Sequence, residues 1–165
     1  MTATAKTPVP KTILSPWIIV AAGCFIAMLT WGPRSVAGAM QLPVLNTYGW
    51  STEAYSFAFA VQALLWGLFQ PLAGRLADTY GSQKVMIGAG LLYALGVLLM
   101  TVSPTPLTFT LTAGVITGIG LSGCSVAFII GGVGKMVPPA MRPLAFGLVG
   151  ASGSFGQFVF SPLAG

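Results

Sequence analysis

The chain has 165 residues, 55% of them apolar and 5% charged, with seven Lys and Arg against two Asp and Glu. A soluble domain carries about 25% charged residues, so this composition cannot build a water-facing surface and reads as an all-α integral membrane protein. The net charge of +5 comes from basic residues scattered singly, unlike the basic patch that nucleic acid requires, so no nucleic-acid partner is expected.

The absence of histidine and the wide separation of the two acids, Glu53 and Asp78, leave no general base, nucleophile pair or metal cluster. Neither an enzyme, nor a metal site, nor a cofactor is expected. Cys24 and Cys124 lie in apolar runs without CxxC spacing and read as small buried hydrophobes. Ala21-Ala22-Gly23-Cys24 looks like a lipoprotein cleavage site. The apolar run continues through Phe25 to Leu29, however, as a retained helix does and a cleaved signal does not.

In chain order, residues 1–16 have no apolar period and form a tail. Residues 17–165 form a helical bundle of four complete spans and most of a fifth. The first span, about 17–45, opens on the interfacial Trp17. It exceeds the roughly 20 residues a crossing needs, and Pro33, Gly38 and Pro43 allow it to kink. A polar turn with Tyr48 and Trp50 follows, and Ser51 or Thr52 is suited to cap the second span, about 54–73. Residues 74–84 read as a polar connection. The third span covers about 85–102, the breaker Ser103-Pro104-Thr105-Pro106 ends it, and the fourth covers about 107–133. After a polar loop, the fifth runs over 144–165 and is still apolar at the end of the sequence. Lys6, Lys11, Arg75, Lys84, Lys135 and Arg142 all fall on one side of these crossings and Glu53 on the other. The positive-inside rule then sets a cytoplasmic N-terminus in a multi-pass cell-membrane protein.

Arg34, after Trp31-Gly32-Pro33, is the basic residue left inside a span. A charge at mid-membrane costs roughly 2.5–3.5 kcal/mol on insertion scales and is a functional candidate by default. Three readings are open: an anchor for a substrate carboxylate, an ion pair with an acid elsewhere, or snorkelling to an interface. Gln62, Gln70 and Gln157 are polar groups in apolar spans that either face a cavity or bond between helices. Tyr55 reads as an interfacial anchor, and Trp31 and Trp66 as packing. Gly114, Gly118 and Ser122 share one helical row, Gly147 and Ala151 another, Gly150 and Ser154 a third. Small residues in such rows serve close helix contact or leave room for a ligand.

The connection Gly74-Arg75-Leu76-Ala77-Asp78-Thr79-Tyr80-Gly81-Ser82-Gln83-Lys84 resembles the signature loop between the second and third helices of the major facilitator superfamily. Gly74, Leu76, Ala77, Asp78, Gly81 and Lys84 match, while the usual basic residues are replaced at Thr79, Ser82 and Gln83. Pro33-Arg34, Tyr48-Gly49-Trp50-Ser51, Gly114-Val115-Ile116 and Arg142-Pro143-Leu144-Ala145 look like the monocarboxylate transporter group and its oxalate/formate-antiporter-like relatives. The resemblance implies the N-terminal half of a twelve-helix fold, with the C-terminal half of the same chain as its partner.

It also implies a secondary transporter of small organic anions, similar to monocarboxylates, working by alternating access. Arg34, with Gln62 and Gln157, would bind the substrate in a cavity lined by the first and fourth helices. Gly74, Asp78, Gly81 and Lys84 would form the conformational gate. Proton symport and exchange for a counter-anion both stay open. The alternative is a non-transporting membrane fragment, or an assembly or regulatory protein derived from a transporter.

Overall fold

The computed structural model describes residues 15–162, which form helices and short connections only. Five stretches are long and apolar enough to cross a membrane. The first is α1, Pro16–Ala39, with Pro16 in its first turn, where a missing N–H costs nothing. This helix is shorter than the expected first span of 17–45. Met40 turns back onto the Val36 and Gly38 carbonyls, and a separate helix α2, Gln41–Tyr48, follows and closes at the left-handed Gly49. Pro43 explains the division, because it has no N–H to offer the Ala39 carbonyl.

Helix α3, Thr52–Tyr80, is capped by the Ser51 hydroxyl, which accepts from the Ala54 N–H at 3.2 Å. It runs 29 residues, seven beyond the expected end. The polar connection expected over 74–84 is therefore mostly helix, and its single linking residue is Gly81, at φ +93°. Hydropathy marks where a helix leaves the apolar layer. The backbone stops only where a residue can turn it, and here that is Gly81 with its positive φ. Helix α4, Ser82–Met100, starts directly after it.

The fourth span is not the uniform helix expected over 107–133. It comprises α5 (Pro106–Phe109), a π-helical stretch (Thr110–Ile116), α6 (Thr117–Cys124) and α7 (Val126–Met136). Ser125 is extended, with ψ 153°, and breaks the run between α6 and α7. Its buried hydroxyl accepts from the Phe128 N–H at 3.3 Å and from Gln70 Nε2 at 3.0 Å. Gln70 thus satisfies the break, which leaves it an interhelical role. A 3₁₀ turn, Pro139–Met141, leads into α8, Arg142–Phe160. The fifth helix therefore ends before the expected 165, and residues 163–165, like 1–14, lie outside the described residues.

The two halves of the fourth span pack on different neighbours. The π stretch and α6 lie against α3 and α4, whereas α7 lies against α1 and α8. Two buried clusters reflect this. Val20, Ala27, Ile129, Val133, Ala145 and Val149 join α1, α7 and α8. Tyr55, Ala58, Phe109 and Ala113 join α3 to the start of the fourth span. Glycines permit the close approaches. A Cβ on Gly118 would stand 2.8 Å from the Gln62 carbonyl oxygen, and one on Gly156 would stand 2.7 Å from that of Met28. The row Gly114, Gly118, Ser122 is thus a packing row at both its glycines, whereas Gly147 and Gly150 meet nothing within 4 Å. Large apolar side chains such as Leu64, Leu68, Leu91, Leu98 and Phe158 point outward, as a lipid-facing surface requires.

Candidate ligand-binding site

Arg34 sits late in α1, directly after Pro33. Its guanidinium carbon is 5.1 Å from the Trp66 ring centroid and 6.0 Å from that of Trp31. The two indoles meet edge-on, with centroids 6.2 Å apart. Such rings attract a cation by about 0.5–2 kcal/mol, and a guanidinium with five N–H donors can still serve an acceptor. The one salt bridge among the described residues is elsewhere, between Lys135 Nζ and Asp78 at 3.1 Å. Arg34 therefore has no carboxylate partner among them.

A cavity of about 400 Å³ adjoins Arg34. Its wall is almost wholly apolar, with Tyr55, Phe59, Gln62, Tyr93, Thr117 and Phe160 contributing from four of the five spans. The α3 contribution comes from its first half and the α4 contribution from its second, so the cavity occupies the end of the bundle away from Gly81. Tyr55 is buried, not interfacial as its position suggested. Its hydroxyl donates to the Ala37 carbonyl at 2.6 Å, one of the carbonyls that the end of α1 leaves without a helical partner. Its ring packs on Phe59 and Phe109.

Gln62 is 4% exposed and lines the cavity. Its Nε2 donates to the Ala113 carbonyl at 2.9 Å. That carbonyl is available because of the π-helical stretch. Thr117 N–H bonds the Thr112 and Gly114 carbonyls and passes over Ala113, the partner an α-helix would use. A carbonyl can only accept, so the orientation of the Gln62 amide is fixed. Gln157 is not brought to the cavity. Its backbone carbonyl accepts from Ser35 Oγ at 3.3 Å, which ties α8 to α1.

Gly74, Asp78, Gly81 and Lys84, the residues expected to form a gate, fall at the other end. Gly74 and Asp78 lie in the final turns of α3, Gly81 forms the link, and Lys84 lies in the first turn of α4. Asp78 reaches across to Lys135 in the last turn of α7, and both side chains are well exposed.

Sequence reasoning did not assign Tyr55, Tyr93 or Phe160 to the cavity. For Tyr55 a signal existed. Tyr55, Phe59, Gln62 and Trp66 recur at intervals of four, three and four, one face of a helix. Phe160 gave no such signal, since its place follows from Gly32, which its ring covers across the α1–α8 contact.

Fold and site together define a multi-pass helical membrane protein with a cavity between its spans and, on its wall, a cation without a carboxylate partner among the described residues. Residues 18–165 match the model of the Major Facilitator Superfamily, and the chain belongs to that family. Among curated proteins it is similar to Monocarboxylate transporter 9 of Mus musculus, 22% identical over 147 residues, which covers 89% of this chain and 28% of that protein. It is likewise similar to Monocarboxylate transporter 3 of Rattus norvegicus, 31% identical over 150 residues, with 89% and 30% covered. Probable anion transporter 2, chloroplastic, of Oryza sativa subsp. japonica is 36% identical over 98 residues, with 58% and 18% covered. The chain thus spans less than a third of the length of these relatives.

Proposed function

We propose that this chain is the substrate-binding part of a secondary transporter for small organic anions of the monocarboxylate type, with Arg34 as the carboxylate anchor. The observation that carries the reading is a guanidinium with no carboxylate partner among the described residues, at the wall of an apolar cavity. A planar, permanently charged fork suits a carboxylate, with which it makes two parallel hydrogen bonds. In a poorly polarisable cavity that attraction is far stronger than in water. The anion also neutralises the cation, so each offsets the other's loss of hydration. The names of the relatives, monocarboxylate transporters and an anion transporter, agree with this chemistry.

Arg75, Lys84, Lys135 and Arg142 gather at the Gly81 end, which we place in the cytoplasm by the positive-inside rule. The cavity then faces outward, and the Lys135–Asp78 bridge fastens the cytoplasmic ends of α3 and α7. Alternating access requires that this end open in turn. The test is uptake of labelled lactate, pyruvate or oxalate by the full-length gene product in proteoliposomes, with Arg34→Ala and Arg34→Lys. We expect Arg34→Ala to lose more than about tenfold of the uptake, as removal of a charge-assisted pair implies. Arg34→Lys should retain part of it. Undiminished uptake by Arg34→Ala at equal membrane abundance would refute the anchor role.

A further inference from the structure

We infer that a second recess, at the Gly81 end of the bundle, binds one anionic phospholipid, with an acyl chain laid in an apolar groove and the phosphate at Lys84. The groove has a volume of about 490 Å³ and runs between α3 and α4, with α6 as its floor. Phe69, Leu72, Leu76, Leu92 and Ile119 make its wall apolar. Leu72, Leu76 and Tyr80 are exposed, so it opens on the outer surface of the bundle, and it shares no lining residue with the Arg34 cavity. The Ser122 hydroxyl in its floor donates to the Ile119 carbonyl at 2.7 Å, which leaves Tyr80 and Lys84 as the polar groups a ligand meets.

Length and charge both fit this occupant. From Tyr80 back to Phe69, α3 rises about 16 Å at 1.5 Å per residue, close to half of the roughly 30 Å hydrocarbon core. The groove thus runs from a membrane face to the midplane, the depth of one leaflet. Tyr80 and Lys84 stand at its mouth, where a phenol and an ammonium meet the headgroups. Asp78, the acid at this end, is bonded to Lys135, so among the described residues Lys84 has no carboxylate partner and its charge is open to a phosphate. Basic recesses between membrane helices hold anionic headgroups in this way. Gly88 points to the same occupant. It lies within α4, has no positive φ, and would set a Cβ in open space, with nothing within 4 Å. Neither a turn nor a helix contact requires glycine there, although glycine weakens a helix. By contrast, a Cβ on Gly123 would stand 2.6 Å from that of Ala89, so Gly123 serves the contact of α6 with α4. What the missing side chain of Gly88 leaves is room in the groove.

The test offers the purified full-length protein equimolar phosphatidylglycerol and phosphatidylcholine with the same acyl chains and counts the retained lipids by native mass spectrometry. Phosphatidylglycerol should be retained about fivefold over phosphatidylcholine. Lys84→Gln should level the two. Gly88→Leu, whose Cβ meets open space, fills the groove and should lower retention of phosphatidylglycerol about threefold or more. Glycerol phosphate, which has the charge and no chain, should not displace it. Equal retention of the two lipids by the unaltered protein would overturn the inference, whatever the variants do. So would an undiminished preference in Lys84→Gln, undiminished retention in Gly88→Leu, or displacement by glycerol phosphate. Retention of neither lipid, with a lowered melting temperature of Gly88→Leu, would assign the groove to another segment of the full-length chain and overturn it as well.

Discussion

Gly120→Ala offers the most direct test of the packing that shapes the cavity. Gly120 lies in α6 against α4, and a Cβ there would stand 2.6 Å from the Tyr93 backbone nitrogen, 2.8 Å from its Cα and 3.0 Å from its Cβ. Restoring ordinary contact requires the two helices to part by roughly 0.5–1 Å, and the neighbour is backbone, so no rotamer change relieves it. Overpacking of this kind costs about 1–3 kcal/mol. The gain in helix propensity from Gly to Ala returns at most about 1 kcal/mol, so the net effect is destabilising. Gly147→Ala is the control: Gly147 is exposed and meets nothing within 4 Å, so the same propensity gain applies without the clash. At about 2–4 °C per kcal/mol for a chain of this size, thermal unfolding of the purified protein in detergent should place Gly120→Ala several degrees below Gly147→Ala. Because Tyr93 lines the cavity, Gly120→Ala should also weaken binding of the carboxylate proposed above. Equal melting of the two variants would show that α4 and α6 do not pack at this distance, and the cavity geometry would fall with it.

Three further outcomes are expected. Tyr55→Phe removes the bond to the Ala37 carbonyl and should lower stability by about 1 kcal/mol; an unchanged melting curve would show that the end of α1 is satisfied in another way. Gly81→Ala forces a side chain into a positive-φ link and should cost about 1–2 kcal/mol, although nothing crowds the position, so a neutral result would mean the turn between α3 and α4 has a different backbone. Asp78→Asn and Lys135→Gln, combined in a double-mutant cycle, should show a coupling below about 1 kcal/mol that shrinks with added salt, because both groups are exposed; a large, salt-independent coupling would mean that the bridge is enclosed in the intact protein.

The five crossings and the oddity of Arg34 were legible in the sequence because both rest on composition, the first on long apolar runs and the second on a charge inside one. The ends of the helices were less legible. Gly74 to Tyr80 is polar and still helical, since water at a membrane face tolerates either conformation and only Gly81 forces a turn. The interruptions of the fourth span left little trace. Thr110 to Cys124 is apolar and rich in small residues, and nothing in its periodicity distinguishes a π-helical register from an α-helical one. For the site, Gln62 was visible as a polar residue in an apolar span, whereas the direction of its amide depends on a carbonyl 51 residues away. Gln157 had the same local appearance and does not line the cavity, because the close approach of α8 to α1 is set at Gly156, beside Met28, and not by Gln157 itself.

The break at Ser125 has a mechanical consequence. A continuous rod gripped at both ends by different neighbours must move as one piece or bend along its whole length. Here the α-helical ladder is interrupted at Ser125, and what spans the joint is one hydroxyl that receives Phe128 and Gln70. Any displacement of the pair α1 and α8 relative to the pair α3 and α4 is therefore concentrated in the torsions of a single residue. The joint lies between the segment held by α3 and α4 and the segment held by α1 and α8, so it is the point at which the fourth span yields most easily.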